Sequence, residues 1–266
     1  NYAYGLFDDP SNITITLQSG FKYKFVATMV KSGKYRICKS TDGYWFPFSV
    51  VVGHDSVIGQ HKYAAVHSDN KFYYDASKYI DFIGSGYTQL TDRNNYYRPN
   101  IERFYGELID YIPEESSANA KIEMKRTSFG AKFVAGGKLA VDGKLEIQID
   151  NAPKMELALT DGEDEISDIF TFKDVDAAWA KDDYTEDIEV SFKWIRTDGT
   201  EPPLGTHKIT FKRNTITVVE VNIDKNNGID LDIPDSETGD LAEGDTVTIN
   251  DGELVETEVE TEGETN

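Results

Sequence analysis

A single cysteine, Cys38, occurs in 266 residues, so the chain cannot form an internal disulfide. It lies in the strand-like stretch Lys34-Tyr-Arg-Ile-Cys-Lys39, where a buried, inert thiol is the expected state. No apolar run is long enough to span a bilayer. At Asn1 there is no Met, no basic leader and no apolar leader core, so the chain reads as a mature or trimmed product that has lost any export signal or lipid anchor. No phosphate-binding or dinucleotide fingerprint occurs. Gly84-Ser85-Gly86 lacks the spacing of a nucleophile elbow, and no cysteine-protease signature surrounds Cys38.

Basic residues are also scarce. Lys and Arg number 27 against 48 Asp and Glu, a formal charge of −21. That balance excludes nucleic acid and anionic lipid as the main partner, because phosphate surfaces are held by clustered cations. The imbalance is uneven. Residues 1–112 hold 12 basic and 11 acidic groups, residues 113–225 hold 15 and 23, and residues 226–266 hold 14 acidic groups and no basic one. Aromatics are skewed the other way, with 23 of the 32 lying in residues 1–112. Two compositions on one chain point to two domains, 1–116 and 117–225, followed by an acidic tail over 226–266. The polar, turn-prone Pro113–Asn119 marks the first boundary. Low apolar content makes loose order the default in the tail, apart from the strand-like pieces Thr246–Asn250 and Leu254–Val259.

What the chain has in quantity is period-2 alternation, the signature of half-buried strands. Ile13, Ile15 and Leu17 share a face, as do Phe21, Tyr23, Phe25, Ala27 and Met29. Leu145, Ile147 and Ile149 alternate with Glu146, Gln148 and Asp150. Ile188, Val190, Phe192 and Trp194 form the clearest stripe, and Met155–Leu159, Ile209–Phe211 and Ile216–Ile223 continue the pattern. Gly, Asp-Gly and Pro-Pro turn signals lie between, and Asp142-Gly143 suggests a tight hairpin. The expected fold is mainly β, two consecutive antiparallel β-sandwiches. Helix is expected over Asp174–Lys181, capped by Asp174 with Val175, Ala178 and Trp179 inward, and more weakly over Pro99–Ile109.

Candidate chemistry is thin. His54, His61 and His67 match no zinc-ligand spacing, and His207 has no identifiable partner. Asp224–Asp232 resembles an oxygen-ligand loop, but its glycine falls one place early for an EF-hand, leaving a weak cation site or a plain turn. No cofactor is implied. Tyr44-Trp45-Phe46-Pro47-Phe48 either packs at a sheet edge or presents Tyr44 and Trp45 as a flat contact surface, with Tyr73 and Tyr74 adding amphipathic aromatic area. Fifteen tyrosines exceed what a core alone needs, because each buried hydroxyl requires a partner.

Three stretches carry a resemblance to a family: Lys121–Phe133, Ile169–Trp179 and Ile209–Val219, the last containing a basic-Asn pair that turns the chain before its final strand. They resemble the C-terminal domain of the fimbrillin-like surface proteins of Bacteroidales bacteria, a superfamily of pilus subunits and adhesins. The resemblance implies export through a lipoprotein precursor, a place on the extracellular face of the outer membrane, and two transthyretin-like sandwiches. It also implies assembly by strand donation between subunits, with other pilus subunits or a surface protein or glycan as partners. The strand-like islands of the tail, Thr246, Val247, Thr248 and Ile249 with Leu254, Val255 and Val259, are the donor candidates. A glycan-binding lipoprotein module of a sugar-uptake system is the alternative, motivated by the aromatic first half. A hydrolase lacks any nucleophile motif.

Overall fold

The computed structural model describes residues 2–11, 13–33, 38–40, 43–45, 56–58, 61–65, 68, 70–74, 89–91, 94–113, 119–135, 142–159, 164–223, 228–233, 239–241 and 246–251. In chain order they form β1 (Tyr4–Leu6), β2 (Ile13–Ile15), β3 (Tyr23–Val30), β4 (Cys38–Ser40), β5 (Gly43–Trp45), β6 (Ser56–Ile58), β7 (His61–Ala65), β8 (Lys71–Tyr73), β9 (Gln89–Thr91), β10 (Asn94–Tyr96) and β11 (Arg103–Tyr111). There follow β12 (Asn119–Glu123), β13 (Lys125–Arg126), β14 (Ser128–Ala135), β15 (Lys144–Ile149), β16 (Met155–Ala158), β17 (Glu165–Thr171), α1 (Val175–Ala180), β18 (Thr185–Ile195), β19 (Pro203–Lys212) and β20 (Thr215–Ile223). The acidic stretch adds β21 (Ile229–Asp232), β22 (Gly239–Asp240) and β23 (Thr246–Asp251). The chain is mainly β, with several antiparallel sheets and, among the described residues, one short helix.

Two hydrophobic cores organise these strands. The larger lies between the layer β17-β14-β20-β21 and the layer β16-β15-β18-β19. Alternation dictates its contents. Leu145, Ile147 and Ile149 from β15, and Ile188, Val190, Phe192 and Trp194 from β18, are buried. Phe129 of β14 centres the core, with Phe172 and Phe211 rings at 4.7 and 4.6 Å. Burying each such side chain contributes about 1.5–3 kcal/mol. The smaller core gathers Ile13, Ile15, Leu17, Phe25, Phe104, Ala120, Ile122 and Met124 between the layer β12-β23-β2 and the layer β13-β11-β3.

Several expectations change in the structure. Pro99–Ile109 is not a helix; its residues from Arg103 onward are strand β11, because tertiary pairing with β3 and β13 overrides a weak local preference. The turn at Asp142-Gly143 does not join a hairpin. β14 pairs with β17 and β20, whereas β15 pairs with β16 and β18, so the connection crosses between layers. Gly143 is required there, since its φ of +83° is left-handed and a Cβ would meet the Ile195 carbonyl. Phe21 precedes β3 and is 59% exposed rather than facing the core. β12, on the second-domain side of a boundary at 116, packs with the first core through Ala120 and Ile122. Loose order does not describe residues 229–232 and 239–240, which pair as strands, whereas β23 falls on the strand-like piece expected at Thr246–Asn250.

Helix α1 follows the sequence closely. The Asp174 carboxylate accepts from the Ala177 amide at 2.9 Å, and Val175 and Ala178 are buried. Trp179 rests edge-on against Tyr105 of β11, which ties the helix to the smaller core's sheet.

Between the cores the chain is pinned by backbone bonds and buried cations. The Arg98 amide donates to the Asn151 carbonyl, the Thr171 amide to Pro99, and the Phe172 amide to Thr127. Arg98 bridges Asp150 and Glu186, and Arg126 is held by Glu102 at 2.6 Å. Burial works to neutralise Arg126, and the neighbouring Glu102 carboxylate offsets it. Removing one partner of such a pair leaves an uncompensated buried charge. Glu102→Ala is therefore expected to destabilise the chain by about 3–5 kcal/mol, read as a lowered urea midpoint. A shift below about 1 kcal/mol would show that the pair behaves as an exposed one.

Candidate functional site

β23 is the element that sets the first unit's surface apart. It lies centrally, antiparallel to β12 (Thr246 opposite Glu123 through Asn250 opposite Asn119) and parallel to β2 (Ile13 opposite Ile249 through Ile15 opposite Asp251). Strand β12 comes more than 120 residues earlier in the chain than β23. Both backbone edges of this late segment are thus used, and both of its neighbours rely on it for their ladders.

Beyond Ile15 the extended chain has tyrosine hydroxyls for partners. The Thr16 amide donates to the Tyr74 hydroxyl at 3.0 Å, and the Tyr2 hydroxyl donates to the Thr16 carbonyl at 3.1 Å. The Tyr23 hydroxyl accepts from the Gln18 amide at 2.9 Å and donates to its carbonyl at 3.0 Å. Tyr2 meets Tyr23 and Tyr74 edge-to-face, with centroids 5.2 and 5.5 Å away. Burial, followed by the neighbouring Tyr23 and Tyr74, pushes the Tyr2 hydroxyl up, so Tyr2 stays protonated and able to donate. Part of the tyrosine surplus is explained here: phenols do the work of a missing strand partner.

Next to this cluster β3 is an edge strand, paired only with β11 among the described residues. Along it runs a cleft of about 760 Å³ whose apolar lining comes from Phe25 on one side and Phe7, Ile13, Ile15 and Phe72 on the other. Every residue from Phe21 to Val30 lines it, so the cleft follows the strand's backbone as well as its side chains. An apolar trough along an unpaired strand edge suits an extended apolar segment better than a polar small molecule. The cations at its rim are occupied: Lys24 pairs with Glu107 at 2.8 Å and Lys22 with Asp110 at 3.6 Å. Tyr105 also donates to Glu107, at 2.6 Å. Burial holds the Tyr105 hydroxyl well above its usual range, and the Glu107 bond adds to this.

The sequence-predicted contact residues fall in different places. Tyr73 of β8 stacks on Tyr4 at 5.6 Å with Lys71 over its ring, and Tyr74 is half exposed in the tyrosine trio. Tyr44 and Trp45 belong to β5, and their side chains lie outside the described residues. Thr246, Val247, Thr248 and Ile249 are in β23, whereas Leu254, Val255 and Val259 lie outside the described residues, as do His54, His67 and 224–227. His207 sits mid-strand in β19 with its ring edge-on to Phe192. Among the described residues no group of three His, Cys, Asp or Glu side chains is placed to hold a metal, and no helix is long and apolar enough to cross a membrane. The tyrosine trio and the β3 edge went unread in the sequence, because only folding brings Tyr2, Tyr23 and Tyr74 together.

Compared with protein-family models, curated proteins and solved structures, the chain matches none of them.

Glu107 offers a check on the rim. Burial opposes its ionisation, but the bonds from Lys24 and Tyr105 and the Lys24 charge outweigh it and hold the carboxyl below its usual value. A carboxylate with a depressed folded-state pKa stabilises the fold above its unfolded pKa and loses that contribution as pH falls through the folded one. Wild-type thermal stability should therefore fall between about pH 5 and pH 3, and Glu107→Gln should flatten part of that fall. Parallel pH profiles of the two proteins would refute the assignment.

Proposed function

We propose that this chain is a non-enzymatic cell-surface protein, a pilus subunit or adhesin, built from two transthyretin-like sandwiches and joined to neighbouring copies by strand addition. On this reading the donor lies in its C-terminal acidic segment: Leu254, Val255 and Val259 add to a neighbouring copy, while Thr246–Ile249, the other donor candidates, are seated in the chain's own sheet. Other subunits, or a surface protein or glycan, are its partners. The observation that carries the proposal is β23, a strand from that segment seated between β12 and β2. A strand from this part of the sequence completes two ladders within the chain's own sheet, and backbone ladders of this kind give affinity without a preformed pocket. The fold also leaves strand edges open, at β3 and β19 among the described residues, and this supports the same reading. So does the charge partition: a near-neutral first unit brings no net repulsion to an approaching copy.

The resemblance of Lys121–Phe133, Ile169–Trp179 and Ile209–Val219 to fimbrillin-like proteins points the same way and carries the expectation of a removed lipid anchor and an extracellular location. Truncation after Asp251 keeps β23 and removes the rest of the donor segment. We expect the full chain to form concentration-dependent assemblies in sedimentation velocity and the truncated chain to remain monomeric with an unchanged melting temperature. Equal assembly by both chains, or none by the full chain at any concentration, would defeat the strand-donation reading.

A second reading, a glycan-binding module, draws on the exposed face of Tyr74 beside Tyr2. Stacking on a sugar ring needs such a face. A glycan array should then show binding that Tyr74→Ala or Trp45→Ala abolishes; an array with no bound glycan discards this reading.

A further inference from the structure

In a chain of net charge −21, cations without an acidic partner are informative. Most described lysines are spoken for, including Lys22, Lys24, Lys31, Lys125, Lys132, Lys144, Lys154 and Lys193, each within 4.0 Å of a carboxylate. Among the described residues those without a carboxylate partner are Lys71 and Lys173, which lie over tyrosine rings, Lys121 and Lys181, and the pair Lys208 and Lys212. Both are exposed on β19, and neither has an ion-pair partner among the described residues. Glu189 stands opposite Lys208 in register, yet the two do not join. β19 is ten residues long and forms the edge of its sheet, paired only with β18 among the described residues. Its outward side reads Thr206, Lys208, Thr210, Lys212, without an acid. Several other edge strands differ, although β3 and β13 also lack an acid. β17 carries Glu165 and Asp168, β16 carries Glu156, and β12 sets Glu123 two residues from Lys121.

The acidic sequence after β23 has matching periodicity. In Leu254-Val-Glu-Thr-Glu-Val-Glu-Thr261, an extended chain puts Glu256, Glu258 and Glu260 on one side and Val255, Thr257 and Val259 on the other. Glu256 and Glu260 are four residues apart, as are Lys208 and Lys212, which is about 13 Å along a strand in either case. We infer that the β19 edge accepts the segment 254–261 of a second copy as an added strand, aligned by Glu256 and Glu260 against Lys208 and Lys212. This rests on the reading of the C-terminal segment as donor and names where it goes.

Three arguments select this pairing. At the β3 cleft the row of glutamates would meet an apolar lining and lysines already paired, so the carboxylates would lose water without gaining a partner. A two-fold pairing of β19 with another β19 would bring lysines together, which is destabilising for cross-strand neighbours. The described strand that precedes the segment also runs away from the end of β12 nearest the second core. β23 runs from Thr246, opposite Glu123, to Asn250, opposite Asn119, and Glu123 is the end that leads on to β13, β14 and the second core. β23 therefore ends beside Asn119, at the end of β12 that does not lead on to β14. A head-to-tail contact of this kind is heterologous, and it propagates unless its rotation closes a ring.

The test uses the full chain and a fluorescent peptide of residues 252–262, with binding read by anisotropy at low and high salt. The peptide should bind, more weakly as salt rises. Lys208→Glu with Lys212→Glu should weaken binding about tenfold, and a peptide carrying Glu256→Lys and Glu260→Lys should restore it. Should the double reversal fail to fold, Lys208→Gln with Lys212→Gln serves in its place. Equal binding to the reversed protein, equal binding of a scrambled peptide, or no restoration by the swapped peptide would overturn the inference. If truncation after Asp251 abolishes assembly while the lysine variants assemble normally, strand donation stands and β19 as its acceptor falls. If the peptide binds β19 as described but the full chain never assembles, the acceptor edge stands and the assembly reading falls.

Discussion

Every strand has two backbone edges, and each amide and carbonyl along them needs a partner or water. The first unit's architecture follows from how that demand is met. β2 and β12 are short strands whose side chains fill the smaller core, yet they do not pair with each other. The gap is closed by β23, and without it two edges beside a buried face would stand open. Past Ile15 the same demand is met by the Tyr2, Tyr23 and Tyr74 hydroxyls. Along β3 it is met on one side only, which leaves the cleft. Ladder completion, side-chain substitution and an open edge are three answers to one constraint, and they account for where this molecule is closed and where it is receptive.

The junction between the cores obeys a different rule. Three arginines, Arg98, Arg103 and Arg126, are almost fully buried there. Burying charge is costly, so each is tied to polar partners: Arg98 to Asp150 and Glu186, Arg126 to Glu102, and Arg103 to the Thr28 hydroxyl at 2.8 Å. Such pairs add little net stability compared with apolar packing, but they are intolerant of misplacement. Together with the backbone bonds from Arg98, Thr171 and Phe172 they fix how the segment 98–103 runs against β14 and β17. A chain that transmits load or presents a long surface gains from two units held in one geometry.

Much of the fold was legible in the sequence. The stripe Ile188, Val190, Phe192, Trp194 and the set Leu145, Ile147, Ile149 are buried where alternation placed them, and Asp174 caps the helix that its spacing announced. Errors cluster where a local signal has two meanings. Asp142-Gly143 marks a tight change of direction in both a hairpin and a layer crossover, and only the neighbouring Ile195 carbonyl explains the glycine. Lys121–Phe133 carries the family resemblance as a single stretch, but Met124 packs in the smaller core and Phe129 in the larger, so the run is divided between two units. Low apolar content argued for looseness after residue 226 outside the islands at Thr246–Asn250 and Leu254–Val259, yet β21 and β22 also form because the edge of β20 recruits them. Of the tyrosine trio the sequence singled out only Tyr74, since Tyr2 and Tyr23 reach it through folding alone.

By itself the sequence determined which residues alternate, hence which face of each strand is apolar, where turns fall and how the charge is divided. Those are local properties, set by side-chain chemistry at a spacing of two. Tertiary structure decided which strand lies beside which. A period of two assigns faces but names no neighbour, and backbone hydrogen bonds are the same for every residue except proline. The place of β23 between β12 and β2, and the exposure of the β3 and β19 edges, belong to that second kind of information. They became visible only when segments far apart in the chain competed for the same unpaired edges.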